Sequence, residues 1–233
     1  MTTLLLLPGL DGTGRVFEPL LTHLPAEIET EVVRYPDDRP ISFQEHVAIA
    51  RSKFPKKRAF VLLAESFSGP IGLQILAEPP NNLVGVIFVA TFASYPSLFL
   101  LDVGRYLPQK PLLKLFSTTL LSRLFCLGGA PKEAVKLFQS ILRSVDLKVL
   151  SNRLQILAEL PPPPEMNFSG PSLYIQATGD RLVSSRAVDP LQRLLPQLQV
   201  EKLRGPHIIL LAKPEAGASL ISDFVARLNS TFD

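Results

Sequence analysis

Short apolar runs alternate along this chain with segments in which apolar residues recur at helical spacing. The runs have no polar alternation, as is typical of strands that are covered on both faces of a parallel sheet. They predict strands over residues 3–7, 30–35, 60–64, 84–90, 173–177 and, less apolar than the others, 199–203. The segments between them predict helices over residues 16–24, 43–54, 70–77, 190–195 and 216–228. This alternation predicts an α/β fold, a mostly parallel sheet with helices on both faces.

One long segment, residues 92–168, interrupts the alternation. It has no strand pattern, and its Leu- and Phe-rich stretches predict helices over residues 112–127, 132–142 and 147–160, before four consecutive prolines at 161–164. Insertions of this length in an α/β domain are more often functional than passive. We therefore predict a helical lid over residues 92–168 on an α/β core formed by residues 1–91 and 169–233. A helical subdomain that serves only stability is the alternative.

The third apolar run ends in an unusual way, within LLAESFSGPIG at residues 62–72. The strand pattern passes directly into a helical pattern through Ser66, with no ordinary turn between them. A nucleophile elbow has this form, because a sharp strand-to-helix turn exposes the serine oxygen above the sheet. The small residues Ala64 and Ser68, two positions before and after Ser66, allow strand and helix to approach. The alternative is a plain helix N-cap, formed by Ser66 or Ser68.

A serine nucleophile needs a base, and the chain has three histidines. His23 and His46 lie in amphipathic helical patterns, where we expect surface residues. His207 instead follows the last predicted strand, in a Gly-Pro-His turn. Parallel α/β sheets keep their sites at the carboxyl ends of strands, so His207 is the candidate base.

The base in turn needs a carboxylate that orients it. Asp180 follows the run 173–177 in a Thr-Gly-Asp turn, which places it beyond another strand end. Its alternative role is that of a turn residue that hydrogen-bonds its own backbone. Asp189 is the second candidate, but it precedes Pro190 at a predicted helix start, which favours a cap.

The loop after the first strand, LPGLDGTG at residues 7–14, contains glycines at positions 9, 12 and 14. Its backbone N–H groups can point inward, and with the N–H of Phe67 one of them could bind the oxyanion of a tetrahedral intermediate. Leu10 is the predicted donor and Asp11 the second candidate. A phosphate-binding loop is disfavoured, because the glycine spacing is not G-x-G-x-x-G and no Lys-Ser/Thr follows.

The order Ser66, Asp180, His207, with an insertion between the fourth and fifth predicted strands, resembles the α/β-hydrolase fold. Over nearly the whole chain it is similar to the compact, lid-bearing carboxylesterases of that superfamily. The resemblance implies that Ser66 is the nucleophile, His207 the base and Asp180 the carboxylate. It also implies an oxyanion hole formed by the backbone N–H groups of Leu10 and Phe67, and no cofactor.

The sequence departs from the family pattern at three places. Pro8-Gly9 replaces the usual His-Gly before the oxyanion loop, and Glu65 precedes the nucleophile where His, Trp or Tyr is frequent. The strand hairpin that often begins the fold is absent, so residues 3–7 form the first predicted strand. None of these changes removes a catalytic group. Whether Glu65 supports the site by hydrogen bonding or faces solvent is open at this point.

The composition of the predicted lid indicates the substrate class. Its aromatic residues favour an apolar acyl group of small or medium size; they are Phe92, Tyr95, Phe99, Tyr106, Phe116, Phe125 and Phe138. Basic side chains could guide an anionic acyl carrier such as coenzyme A or an acyl carrier protein, although a solvated face is the alternative; they are Lys110, Lys114, Arg123 and Lys132.

We predict a carboxylic ester hydrolase. A thioesterase, an acyltransferase or a carbon–carbon bond hydrolase on the same fold, and a non-catalytic ligand-binding protein, are the alternatives.

Composition and charge exclude several other classes. The chain has 233 residues, 46% of them apolar, which suits one large globular core and excludes a disordered protein. A net charge of +3 is too small to indicate a nucleic-acid partner. The single cysteine, Cys126, excludes an internal disulfide, and no histidine or cysteine cluster has metal-ligand spacing. The longest uncharged stretch, 83–101, contains Pro96 and predicts a strand and a loop rather than a membrane span. We therefore expect a cytoplasmic protein without a metal.

Overall fold

Six parallel strands form a single sheet in the computed structural model, which describes residues 2–94, Ser122, Phe125 and 129–232. The strand order is β2-β1-β3-β4-β5-β6, and every neighbouring pair is parallel. The strands are β1 (Thr3–Leu7), β2 (Glu29–Val32), β3 (Phe60–Glu65), β4 (Leu83–Val89), β5 (Ser172–Ala177) and β6 (Leu198–Leu203). The predicted parallel α/β sheet is therefore confirmed.

Helices connect the strands and cover the sheet. They are α1 (Glu18–Leu21), α2 (Phe43–Ser52), α3 (Gly69–Ala77), α4 (Lys132–Ser144), α5 (Leu147–Ala158), α6 (Val188–Leu194), α7 (Ile209–Ala212) and α8 (Pro214–Phe232). The helix predicted over residues 16–24 is shorter than expected: its start is a 3₁₀ turn, Arg15–Phe17, and α1 ends at Leu21. The Thr22 hydroxyl donates to the carbonyl of Pro19 at this end. No described helix is both long and apolar enough to cross a membrane.

The strands are apolar throughout because both faces of the sheet are buried. Along β1, Leu4 and Leu6 join a cluster that includes Phe224 of α8, whereas Leu5 and Leu7 join a cluster on the opposite face. These four leucines are fully buried. Burying a leucine side chain completely contributes about 1.5–3 kcal/mol, so a polar residue at any of these positions would be costly.

The described part of the insertion, α4 and α5, packs above the loop that follows β1. Helix α4 buries Phe138 and Ile141 in the cluster that contains α8. Helix α5 contributes Val149 and Leu150 to a small cluster that also contacts Leu10. These helices match the predictions for 132–142 and 147–160. The helix predicted over 112–127 lies outside the described residues, apart from Ser122 and Phe125, and the boundaries of the lid remain a prediction.

A buried arginine links α5 to the loop after β1. Arg153 has no exposed surface, and its Nη1 donates to the carbonyls of Leu10 and Asp11 at 2.9 and 2.6 Å. Its Nη2 donates to the carbonyl of Pro36 at 2.7 Å. Gly12, at a φ of +70°, makes room for it, since a Cβ there would lie 2.4 Å from Nη2. Arg153 therefore replaces water as the partner of three loop carbonyls.

We expect Arg153→Met to destabilise the protein, because it leaves these three carbonyls without their donor. Each unpaired buried acceptor costs about 1–3 kcal/mol, partly offset by no longer burying a charge, so the loss should be about 2–4 kcal/mol. Urea denaturation followed by circular dichroism measures it. The matched control is Arg143→Met, at an exposed position of α4, which should change stability by less than about 0.5 kcal/mol. Equal stability of the two variants would show that the Arg153 contacts contribute nothing.

Candidate active site

The turn after β3 holds Ser66 in a left-handed backbone conformation, with a φ of +48°. This region is uncommon for a residue other than glycine. The chain passes from β3 through a single 3₁₀ turn, Ser66–Ser68, directly into α3. Neither Ser66 nor Ser68 makes a capping hydrogen bond, and the Ser68 hydroxyl instead donates to the carbonyl of Pro8 at 2.5 Å. The N-cap alternative is therefore wrong, and the turn has the form of a nucleophile elbow.

Close packing against the end of β4 supports this turn. The Thr91 hydroxyl donates to the carbonyl of Ser66. Gly69 fits beside it only because it lacks a side chain, since a Cβ there would lie 1.9 Å from Thr91 Oγ1. Ala90, at a φ of +45°, turns the chain so that Thr91 meets the elbow, and the Tyr174 hydroxyl donates to the carbonyl of Thr91 at 2.9 Å. The sequence pattern did not single out Thr91 or Ala90.

The three predicted side chains lie in one chain of hydrogen bonds. Ser66 Oγ is 2.8 Å from His207 Nε2, and His207 Nδ1 is 2.7 Å from Asp180 Oδ2. The other carboxylate oxygen, Oδ1, accepts the N–H groups of Leu182 and Val183 at 2.7 and 2.9 Å. Because an ionised carboxylate only accepts, Nδ1 carries a proton and Nε2 is free to accept the serine proton.

Two glycines bring the turns of Asp180 and His207 together. Gly179 donates its N–H to the carbonyl of Gly205 at 2.8 Å, and a Cβ on Gly179 would lie 2.7 Å from that oxygen. Any side chain at position 179 would separate the turns after β5 and β6. The side chains of His207 and Asp180 are only 5% and 4% exposed, so water competes little for their hydrogen bond.

Opposing effects set the protonation of His207. Burial disfavours the charged imidazole, but the adjacent Asp180 carboxylate, the hydrogen bond to it and, more weakly, Glu65 favour it. The second group of effects prevails, and the pKa of His207 lies above its ordinary value of 6.5. A histidine of this kind takes up a proton readily, which is what a general base requires.

The other candidates lie elsewhere. His23 is exposed, as expected, but His46 is fully buried, so its surface prediction is wrong. Its ring packs edge-on against Tyr35 and Phe67 at 4.8 and 5.1 Å, and burial lowers its pKa to about 4. Asp189 lies in the first turn of α6, where Ala187 rather than Asp189 occupies the N-cap position.

The loop after β1 is ordered by its own side chains. Asp11 Oδ2 accepts the backbone N–H and the hydroxyl of Thr13 at 2.8 and 2.6 Å. The N–H of Gly12 donates to the carbonyl of Gly9 at 3.1 Å. Leu10 lines the cavity in front of Ser66, whereas the Phe67 side chain is buried in the core. The oxyanion-hole roles of the Leu10 and Phe67 N–H groups remain predictions.

A mostly apolar cavity opens above Ser66 and His207. Its apolar lining includes Val16, Phe125, Phe138, Leu142, Leu150 and Leu154. The Phe125 ring stands edge-on to the His207 ring at 5.6 Å between centroids. The insertion thus supplies much of the lining, as a lid would.

Two of the predicted lid aromatics, Phe125 and Phe138, line this cavity. Phe92 does not; it is buried in a core cluster that also contains Leu157 of α5. Lys132 is exposed at the start of α4. The remaining predicted lid residues lie outside the described residues; they are Tyr95, Phe99, Tyr106, Phe116, Lys110, Lys114 and Arg123.

Several solved structures share this architecture. A putative aryl esterase from Burkholderia cenocepacia superposes with a TM-score of 0.77 at 14% identity, over 98% of this chain and 91% of the other. An esterase from Exiguobacterium antarcticum gives a TM-score of 0.75 at 13% identity, over 97% and 92%. MenH from S. aureus gives 0.76 at 13% identity, over 98% and 94%.

No protein-family model and no curated protein sequence matches this chain. At such low identity the structural likeness establishes the fold alone. The sheet order, the elbow after β3 and the superpositions over nearly the full length agree with each other. The chain therefore has the α/β-hydrolase fold.

Proposed function

We propose that this protein is a serine hydrolase that cleaves carboxylic esters of small or medium apolar acyl groups. The observation that carries the proposal is the hydrogen-bonded chain from Ser66 through His207 to Asp180 at the floor of an apolar cavity. Ester hydrolysis requires a nucleophile, a base, an orienting carboxylate and donors for the oxyanion. The names of two similar structures, an esterase and a putative aryl esterase, support an ester as the substrate.

The mechanism follows from the direction of the hydrogen bonds. Ser66 Oγ attacks the ester carbonyl carbon while its proton passes to Nε2 of His207, and Asp180 stabilises the resulting imidazolium. The carbonyl electron pair moves to the oxygen, where the N–H groups of Leu10 and Phe67 are the proposed donors. The carbonyl reforms as the C–O bond to the leaving alcohol breaks, and His207 gives the alcohol its proton.

Water then completes the cycle. His207 takes a proton from a water molecule, whose oxygen attacks the acyl carbon, and the bond to Ser66 Oγ breaks as the serine recovers a proton. The apolar lining, with Phe125 and Phe138 close to the site, suits an apolar acyl chain and lowers the local dielectric. The lower dielectric strengthens the interactions with developing charge.

A fluorophosphonate probe tests whether Ser66 is an activated nucleophile. We expect the wild-type protein to be labelled on Ser66, as identified by mass spectrometry of the peptide, and Ser66→Ala to remain unlabelled. His207→Ala should lose labelling because the serine then has no base. His23→Ala, an exposed histidine, is the matched control and should label normally. A label on Ser68, or one that persists in His207→Ala, would contradict the proposal.

A substrate panel tests the reaction type. We expect esters of short and medium apolar acids to be hydrolysed, and diketones not, because the parts named suffice for acyl transfer from an ester or a thioester. The esterase proposal further expects the esters to react faster than the matching thioesters, and the panel measures that preference. Initial rates by pH-stat or chromogenic release measure this. A strong preference for thioesters would replace the esterase assignment with a thioesterase. Tight ligand binding without turnover would indicate a binding protein instead.

The pH dependence of activity tests the pair formed by Asp180 and His207. His207 must be neutral to accept the serine proton, so kcat/KM should fall as the pH decreases through its raised pKa, above 6.5. Asp180→Asn removes the anion that raises this pKa. The acidic limb should therefore move to lower pH, and the rate should fall by about 10⁴-fold. An unchanged midpoint in Asp180→Asn would show that another group controls the profile.

A further inference from the structure

Glu65, the last residue of β3, is a buried acid directly before Ser66. It is only 5% exposed and lines the cavity with Ser66 and His207. The position that a Cβ of Gly9 would take lies 3.6 Å from Ser66 Cβ, 3.8 Å from Glu65 Oε2 and 4.0 Å from Asp11 Oδ1. Because Gly9 has no side chain, this space beside the nucleophile stays open, and the Glu65 carboxyl borders it.

Glu65 differs from the other buried charged groups near the site in having no hydrogen-bond partner among the described residues. Arg153 donates three hydrogen bonds and Asp180 accepts three. Asp11 accepts two from Thr13. Neither carboxyl oxygen of Glu65 is among the fully enclosed side-chain atoms that lack a partner in the described part of the chain. The carboxyl therefore opens onto the cavity, and its hydrogen-bond partner is expected there, where the substrate binds.

The protonation state of Glu65 decides what it can bind. Burial, and then the nearby Asp11 carboxylate, raise the pKa of Glu65 to about 8, against a smaller opposing effect of His207. At pH 7 the neutral form therefore prevails. A neutral carboxyl group carries an O–H donor, which an ionised one lacks.

We propose that Glu65 is a specificity-determining residue that donates a hydrogen bond to an oxygen of the substrate's acyl group, a few bonds from the scissile carbonyl. This rests on the proposed esterase function and refines it. The acyl group is then largely apolar, with one hydroxyl or keto oxygen near the ester. A second carboxylate in the substrate is disfavoured, because Asp11 borders the same space.

Matched esters test this directly. Ethyl butanoate, ethyl 3-hydroxybutanoate and ethyl 3-oxobutanoate differ only in the oxygen on the acyl chain, and pH-stat titration gives kcat/KM for each. The selectivity is defined as kcat/KM for an oxygenated ester divided by kcat/KM for the plain ester. For the wild type at pH 7 it should be roughly three- to tenfold, as one net hydrogen bond predicts. Using the ratio removes any effect that a variant has on both substrates.

Variants at position 65 separate hydrogen bonding from packing. Glu65→Gln keeps a donor and the shape of the side chain, so its selectivity should remain above one. Glu65→Leu removes the donor, so its selectivity should fall to about one. Glu27→Gln, at an exposed position between α1 and β2, is the matched control and should keep the wild-type selectivity. Circular dichroism and fluorophosphonate labelling show whether each variant is folded with a reactive serine.

The pH dependence provides a second test, which does not need Glu65→Leu to fold. The titratable groups that face Glu65 are Asp11 and His207. The protonation of His207 affects both esters alike and cancels in the ratio. The wild-type selectivity for the 3-oxo ester, which only accepts, should disappear as Glu65 ionises above about pH 8. The selectivity of the Glu65→Gln variant for the same ester should stay constant to pH 9, because an amide does not ionise.

The outcomes distinguish failure of this inference from failure of the proposed function. Hydrolysis of the plain ester and labelling of Ser66, with the same selectivity in wild type, Glu65→Gln and Glu65→Leu, would overturn the role of Glu65 and leave the esterase intact. A wild-type selectivity that does not change between pH 7 and 9 would overturn it too. No labelling and no ester turnover in the folded wild type would overturn both. Selectivity that follows the donor at position 65 and the pH would support it.

Discussion

The left-handed backbone of Ser66 is the constraint on which the rest of the site depends. A non-glycine residue in this region costs about 1–3 kcal/mol, so the surrounding structure must hold it there. The hydrogen bond from Thr91 and the absence of a side chain at Gly69 do so. The strained turn lifts the serine oxygen above the sheet edge, where the imidazole of His207 can reach it at 2.8 Å. Without this conformation the serine would be an ordinary residue at a strand end.

Parallel strands explain why groups far apart in the sequence meet at this serine. Ser66 follows β3, Asp180 follows β5, His207 follows β6 and the loop with Leu10 follows β1. Because all strands run in one direction, their carboxyl ends lie along a single edge. The contact between Gly179 and Gly205 then sets the distance between Asp180 and His207. The fold thus supplies the position of each group, and the local turns supply its orientation.

Two buried ionisable side chains, Arg153 and Glu65, lie near the candidate site, where burying a charge lowers stability unless it is paired. Arg153 is buried at a cost, but the loop carbonyls that it binds belong to the segment that carries Leu10. Its burial therefore couples the insertion to the loop in front of Ser66. Glu65, at the same site, has no hydrogen-bond partner among the described residues, and its carboxyl opens onto the cavity. Natural proteins break the rule that buried polar groups are paired mainly where function requires it.

The sequence by itself determined the strands, the order of the catalytic candidates and the elbow, because these depend on local patterns. Uninterrupted apolar runs predict strands buried on both faces, and a strand that runs into Ser66 without a turn predicts the elbow. A histidine and an aspartate in turns after later strands could be located in the same way. These inferences need only the periodicity of apolar residues along the chain and the fact that the carboxyl ends of parallel strands lie along one edge of the sheet.

Only the tertiary structure decided which polar residues are buried, and what surrounds them. His46 lies in an amphipathic helix and looks like a surface residue, but Tyr35 and Phe67, distant in sequence, cover it. Arg153 is charged, and hydropathy would place it in solvent; three carbonyls from two separate loops make its burial favourable. Burial depends on which elements pack together, and no local pattern of residues encodes that.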